Sequence, residues 1–460
     1  MNKDDRNARQ DMGALAKGGS LARLVVRWIL TFYYPRIEVE GREHLPAAGA
    51  VLFVANHPNS LMDPALIGFV ARRAVHFFAK APLFDVPVFG ALMNALGMVP
   101  AYRGQDDRAQ VRKNLETLNV GAEYLRRGEA VGIFPEGKSH DRASVEQVRT
   151  GAARIVWQAT QGGAAVTLVP LGLNYERKER FRSSIWVRVG EPMDANRWLR
   201  ERAEEEKKAI RSFTGDIDHR LKQLVVHLNE ERWQPFLPEL EVLLPAEGDD
   251  ARNPVAVLRQ RKRIADAMNH FLATDRTSAE AVAAAIDRHR AQLASAGLTM
   301  DSPVLRFGVG RLTVRLMADT IRLLVGFVPA IAGALYHLLP FVITRGIVRL
   351  VKYPGRTTIA QNRLMIGLPL YGFWYAAVWW WLASQTHVWI AWLWTGLMPF
   401  SGVVALHFVW GARRARRAWW QEVKMILRPR ELRRLRMERA GLRRKLQQLR
   451  GEFRTLVVAP

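Results

Sequence analysis

The chain has 460 residues, room for two or three domains, and carries 68 Lys plus Arg against 43 Asp plus Glu, a formal charge of +25. That surplus favours an anionic partner: nucleic acid, phospholipid headgroups or a phosphorylated substrate. Cysteine is absent, which excludes disulfides, thiolate metal sites and a cysteine nucleophile, so any covalent chemistry must run on oxygen or nitrogen.

The first twenty residues are polar and charged and lack the apolar core of a secretory signal, so the N-terminus is expected in the cytoplasm. Residues 20–41, SLARLVVRWILTFYYPRIEVEG, hold an apolar stretch too short to span a bilayer and broken by Arg27. It reads either as an interfacial helix on the cytoplasmic leaflet or as a helix packed on the domain that follows.

Residues 37–200 alternate in the manner of an α/β domain. Short β-rich runs are expected at Ile37 to Val39, Ala50 to Ala55, Val75 to Ala79, Ala130 to Phe134, Thr167 to Leu173 and Ser184 to Val189. Helices are expected at Pro64 to Arg73, Asp106 to Arg127 and Thr150 to Gly162. From 201 to 303 the chain turns helical and charged, with breaks at Pro235 to Pro245 and Glu247 to Pro254, and reads as a connector without catalytic features.

The region 304–412 has membrane character. Leu323 to Thr344 is apolar between Arg322 and Arg345, both flanks are basic, and Pro329 and Pro340 interrupt it. A re-entrant or membrane-surface helical hairpin is expected there rather than a span. Between Arg363 and Arg413 lie 49 residues without Asp, Glu, Lys or Arg, room for two spans of about twenty residues. They are expected at 364–383 and 388–410, with both basic ends in the cytoplasm and Trp379, Trp380, Trp381, Trp389, Trp392 and Trp394 near the turn. Residues 413–460 hold 16 Lys plus Arg against four acids, with Leu432, Leu435, Leu442, Leu446, Leu449 and Phe453 at threes and fours. This basic amphipathic or coiled helix either meets anionic membrane lipid or a partner helix, or is simply solvated. Nucleic acid fits poorly, since no base-reading module accompanies the charge.

Chemistry gathers where strands end. In VLFVANHPNSLMDPALIG (51–68), a strand runs into Asn56 and His57, and Asp63-Pro64 is a good helix start with the acid as N-cap. A histidine just past a strand, with a carboxylate able to fold back onto it, is also the arrangement of a general base held in one tautomer. At 3.6 residues per turn the His57 to Asp63 spacing fits no single helix face, so a loop must bring them together. Further on, NALGMVPAYRG (94–104) ends in Arg103, AVGIFPEGKSH (130–140) places Glu136, Gly137, Lys138 and His140 in a tight turn, and TLVPLGL (167–173) holds Val169 and Pro170. No metal-ligand spacing appears among these residues.

In this order the pieces resemble the glycerolipid acyltransferase family across roughly residues 37–195: Asn56-His57 with Asp63, Gly97 through Pro100 to Arg103, Phe134 to Gly137, and Val169-Pro170, with Lys80 also in keeping. The resemblance implies a mixed sheet flanked by helices. It also implies transfer of an acyl group from an acyl thioester, acyl-CoA or acyl carrier protein, to a lysophospholipid or glycerol phosphate acceptor, with no cofactor beyond that donor. His57 and Asp63 would be catalytic, while Asn56, Arg103, Glu136, Gly137 and Lys138 would bind substrate. Multi-pass insertion in the cytoplasmic membrane, with the site facing the cytoplasm, completes the expectation. Two departures stand out. Five residues separate His57 from Asp63 where the family usually has four, and Lys138, Ser139 and His140 replace the usual Thr-Arg after Glu-Gly. Lys138, Arg103 and Arg149 are left to grip a phosphate.

Overall fold

A computed structural model of the chain describes residues 20–85, 89–101, 108–246, 253–306, 309–350 and 356–458. These form two compact units, the first comprising residues 1–231, 248–262 and 356–360 and the second the remainder.

The first unit is built on an eight-stranded mixed sheet. After helix α1 (20–33) come β1 (Arg36–Glu40), β2 (Ala50–Ala55), α2 (Met62–Ala71), β3 (Val75–Lys80), α3 (Phe89–Ala95), β4 (Val99–Ala101) and α4 (Arg108–Arg126). There follow β5 (Ala130–Ile133), α5 (Gly151–Gln161), β6 (Val166–Tyr175), β7 (Ser184–Val189), β8 (Met193–Asp194), α6 (Ala195–Arg202) and α7 (Glu206–Leu224). The strand order is β1-β7-β6-β2-β5-β3-β4, with β8 also pairing β6. All pairs are parallel except β6 with β7 and β6 with β8.

β2 lies in the middle and every one of its residues is buried, as its unbroken apolar sequence requires of a strand covered on both faces. Leu52 and Val54 face a core shared with Leu125 of α4, Ile155 and Val156 of α5, and Phe213 and Ile217 of α7. The six β-rich runs all fall on strands; β4 and β8, three and two residues long, carry too little pattern to be read. The connector expected from residue 201 is not uniform, because α7 buries Ile210, Phe213, Ile217 and Leu221 in this core and belongs to the sheet domain.

On α1, Leu30 is buried, as are Tyr33 and Tyr34 where the helix ends, while Leu21, Leu24, Val25, Trp28 and Phe32 are exposed. The helix packs on the domain through one face and presents an exposed apolar stripe on the other.

The second unit is helical: α8 (Leu237–Leu243), the later part of α9 (Pro254–Thr274), α10 (Arg276–Ser295), α11 (Val309–Leu350), α12 (Ile359–Gln385), α13 (Val388–Ile426) and α14 (Pro429–Val458). The hairpin expected at 323–344 does not exist: α11 runs straight through Pro329 and Pro340. A proline within a helix leaves the carbonyl four residues earlier without its donor. For Pro340 that carbonyl is Tyr336, and the indole Nε1–H of Trp374 on α12 donates to it at 3.0 Å. His337 lies between Gly333 O (2.8 Å) and the Tyr375 hydroxyl (2.9 Å), fastening the same two helices.

The expected spans 364–383 and 388–410 lie within α12 and α13. By length and composition, however, the two helices able to cross a membrane are Leu316–Leu350 and Val388–Gln421 among the described residues. Only 22 % and 17 % of their apolar windows are buried, where the core helix of a water-soluble fold is mostly buried.

Candidate active site

Because β2 and β5 are parallel neighbours, their carboxyl ends open on the same edge of the sheet, where α/β folds place their chemistry. His57 leaves β2 there, and Phe134 to Lys138 leave β5. The His57 backbone is held from the β5 side: its N–H donates to Glu136 Oε1 at 2.8 Å, and its carbonyl accepts from the His140 N–H at 3.3 Å. The His57 ring stacks on Phe134, centroids 4.1 Å apart and planes 11° from parallel. Phe134 stacks in turn on Phe77 of β3. Gly132 makes room for that stack, since a Cβ there would lie 2.0 Å from the Phe77 ring.

Asp63 does not cap α2. The helix starts at Met62 with Leu61 as N-cap and no side-chain cap bond. The carboxylate folds back instead, its Oδ2 accepting from His57 Nδ1 at 2.9 Å and from the Asn59 N–H at 2.7 Å. Its Oδ1 accepts from the Tyr175 hydroxyl at 2.7 Å. Ser60, at φ 43°, takes the left-handed turn that brings Asp63 round, and this absorbs the longer spacing after His57. Asp63 is fully buried and the His57 side chain is 18 % exposed, so solvent and substrate meet the ring and not its partner. With Nδ1–H donated to a carboxylate, Nε2 is the ring's proton acceptor. Burial, then the Asp63 charge, push the Tyr175 hydroxyl well above its ordinary value, keeping it a donor.

A second layer supports this pair. Asn59, fully buried, donates to the Tyr34 hydroxyl (2.8 Å) and to Lys178 O (3.3 Å). Lys178 Nζ reaches His140 O at 3.0 Å and Asp141 at 2.9 Å. Glu136, 1 % exposed, accepts from the Glu146 N–H at 2.8 Å and from His140 Nε2 as well as from His57. Among the described residues its charge is answered by backbone amides and a histidine, not by an arginine.

Both polar groups of Asn56 are used on the Leu173 backbone, at 3.1 and 2.8 Å, extending the β2–β6 ladder by one side chain. Gly137 has φ 74°, which a side chain would strain, and Arg149 lies beside it. Lys138 is half-exposed and paired with Glu146 at 3.1 Å. Arg103 lies outside the described residues. Among the described residues no group of three or more acids and histidines could hold a metal ion.

Sequence reading missed Tyr175, Asn59, Lys178 and the role of His140. Their signal is non-local. Pairing β2 with β6 brings the loop that follows Ala55 to the end of β6, where Tyr175 meets Asp63, a relation invisible until the two strands are paired.

Residues 36–174 match the family model described as Acyltransferase. Over 147 residues the chain is 30 % identical to the 1-acyl-sn-glycerol-3-phosphate acyltransferase LPAT1, chloroplastic, of Arabidopsis thaliana, a match covering 31 % of this chain and 38 % of that protein. Over 82 residues it is 38 % identical to glycerol-3-phosphate O-acyltransferase 2 of Saccharomyces cerevisiae, covering 17 % of this chain and 11 % of the yeast protein. The chain thus spans well under half the length of these relatives. Among solved structures, the 1-acyl-sn-glycerophosphate (LPA) acyltransferase PlsC from Thermotoga maritima matches with a TM-score of 0.33 at 19 % identity, covering 48 % of this chain and 84 % of that one.

Proposed function

We propose, for a chain whose residues 36–174 form a domain of the glycerolipid acyltransferase family, that it is a membrane-bound O-acyltransferase moving a fatty acyl group from an acyl thioester to the hydroxyl of 1-acylglycerol 3-phosphate. The observation that carries this reading is the His57–Asp63 pair at 2.9 Å, with a buried acid, a partly exposed ring and Nε2 as acceptor. The acceptor hydroxyl gives its proton to His57 Nε2 as its oxygen attacks the thioester carbonyl carbon. Collapse of the tetrahedral adduct breaks the C–S bond, and the imidazolium returns the proton to the departing thiolate. Asp63 keeps the ring in one tautomer and stabilises the imidazolium. No acyl-enzyme is needed, in keeping with a chain that has no cysteine.

The donor is acyl-CoA or acyl carrier protein, with no further cofactor. Arg103 and Arg149, with Lys138 once released from Glu146, are the cations offered to the acceptor phosphate. A lysophospholipid that partitions into bilayers suits an enzyme held at a membrane, which the exposed apolar helices α11 and α13 and the apolar stripe of α1 support. The catalytic domain is assigned to the cytoplasmic side, where thioester donors are found.

The test is acyl transfer by purified protein in detergent or liposomes, offering radiolabelled lysophosphatidic acid and glycerol 3-phosphate in parallel. Label should enter phosphatidic acid from lysophosphatidic acid, and His57→Ala should lose at least about a thousandfold in kcat while remaining folded. A variant retaining most of the activity would sink the mechanism. Transfer to glycerol 3-phosphate alone would move the acceptor to the water-soluble alternative.

A further inference from the structure

The second unit contains a cavity of about 220 Å³ lined by Val242, Pro245, Leu305, Arg306, Arg436, Arg439, Ala440 and Arg443. Half of these residues are arginines and none is an acid. Arg439 is 9 % exposed, and its Nη1 has no hydrogen-bond partner, while its Nη2 reaches only Val242 O at 3.4 Å. A buried guanidinium left partly unpaired is costly, because its hydration is lost without replacement. Arg436 beside it is fixed in place, its Nε and Nη2 both donating to Val304 O at 3.0 and 2.6 Å. Burial, followed by the charges of Arg306 and Arg443, draws the Arg439 guanidinium down to about 10, and Asp301 offsets only part of this.

We propose that this cavity binds a phosphate monoester, whose oxygens accept from Arg439 and Arg436 while Arg306 and Arg443 neutralise charge at the rim. Planar guanidinium forks match phosphate oxygens two at a time. Among the described residues the lining holds four arginines and no acid, which favours a dianion over a carboxylate or a phosphodiester, each of which brings one charge. The size excludes a nucleic-acid strand but admits a headgroup, and Val242, Pro245 and Leu305 offer an apolar wall to the glycerol or acyl stem. The phosphate can come from a phosphatidic-acid headgroup or from a soluble monoester. This site lies on the helical unit and is independent of the acyl-transfer reading.

To test it, thermal unfolding of the full chain in detergent is followed as inorganic phosphate replaces chloride at constant ionic strength. Binding to the folded state raises Tm by mass action, so the wild-type Tm should climb and saturate. Arg439→Gln should lose at least tenfold in phosphate affinity, yet melt no lower than wild type in chloride, since an unpaired buried charge has gone. The same phosphate response in both proteins overturns the assignment. A phosphate acceptor held in the acyltransferase domain would give a response that survives Arg439→Gln, which counts against this cavity and not against acyl transfer. Nanodiscs of phosphatidylcholine with and without phosphatidic acid separate the two sources. If phosphatidic acid abolishes the Arg439-dependent response to phosphate, the occupant is the lipid headgroup; if the response persists, it is the soluble monoester.

Discussion

Three donors converge on one carboxylate at Asp63: the His57 ring, the Asn59 amide and the Tyr175 hydroxyl. Each fixes a different degree of freedom, so the acid that orients the histidine is itself oriented. Tyr175→Phe keeps the ring and its volume and removes one donor, leaving a buried carboxylate oxygen short of a partner at a cost of about 1–3 kcal/mol. The expected result is a kcat lowered about tenfold or more with a smaller change in KM, because the loss falls on the group that sets the ring and not on substrate contacts. Unchanged kinetics in a variant of reduced stability would make Tyr175 a packing residue only. At this scale the sequence showed His57 and Asp63 and the need for a loop between them. It could not show that Asn56 and Glu136 spend their polar groups on the protein's own backbone. Residue type announces the capacity to bind, and only the fold shows whether that capacity is already used.

Among the elements, the turn after β5 carries Lys138 and His140 and is secured from the chain that follows α7. The Val145 N–H donates to His227 Nδ1 at 3.0 Å, and the Leu228 N–H to Ala143 O at 2.9 Å. As an acceptor Nδ1 carries no proton, and burial, then the Lys222 charge, push His227 down to about 4. The folded pKa lies below the unfolded value, so as pH falls below about 6.5 the unfolded segment takes the proton first. Stability is lost progressively until about pH 4, on the order of 3 kcal/mol in all. Hydrogen exchange of residues 137–146 should quicken across that window in the wild type. His227→Gln, whose side-chain oxygen can still accept from Val145, should flatten the dependence; parallel profiles would show that His227 does not carry it. The strands were legible because long buried strands are continuous apolar runs, as in β2 and β6. Helix α11 was misread because proline counts as a breaker in water, whereas here Trp374 satisfies the carbonyl that Pro340 leaves free. That donor lies 34 residues further along the chain, beyond the reach of any local pattern.

For the molecule as a whole, hydrophobicity and charge contribute separately to the membrane attachment proposed above. The stripe of Leu21, Leu24, Val25, Trp28 and Phe32 is exposed on α1, while Leu324, Val325, Phe373, Trp380, Trp389 and Phe400 are exposed on α11, α12 and α13. Each of these sets is more exposed apolar surface than a water-soluble domain ordinarily carries. On the membrane-bound reading proposed above, the 16 basic residues after 412 would add attraction to anionic lipid. These two forces respond differently to solvent, and that difference is testable. Electrostatic attachment is screened within about 10 Å at 0.1 M salt and weakens further as salt rises, whereas buried apolar helices are held by area and are indifferent to salt. Membranes containing the full chain should therefore retain it through high-salt and alkaline carbonate washes and release it only to detergent, and replacing the arginines of α14 by glutamine should not change this. Release by salt alone would make the protein peripheral and α11 and α13 helices of some other assembly. Because the chain has no cysteine, Ser384→Cys in the turn between α12 and α13 creates a unique thiol. A membrane-impermeant maleimide added to intact cells should label it if that turn faces outward, leaving the basic flank at Arg413 on the cytoplasmic side with the thioester donors.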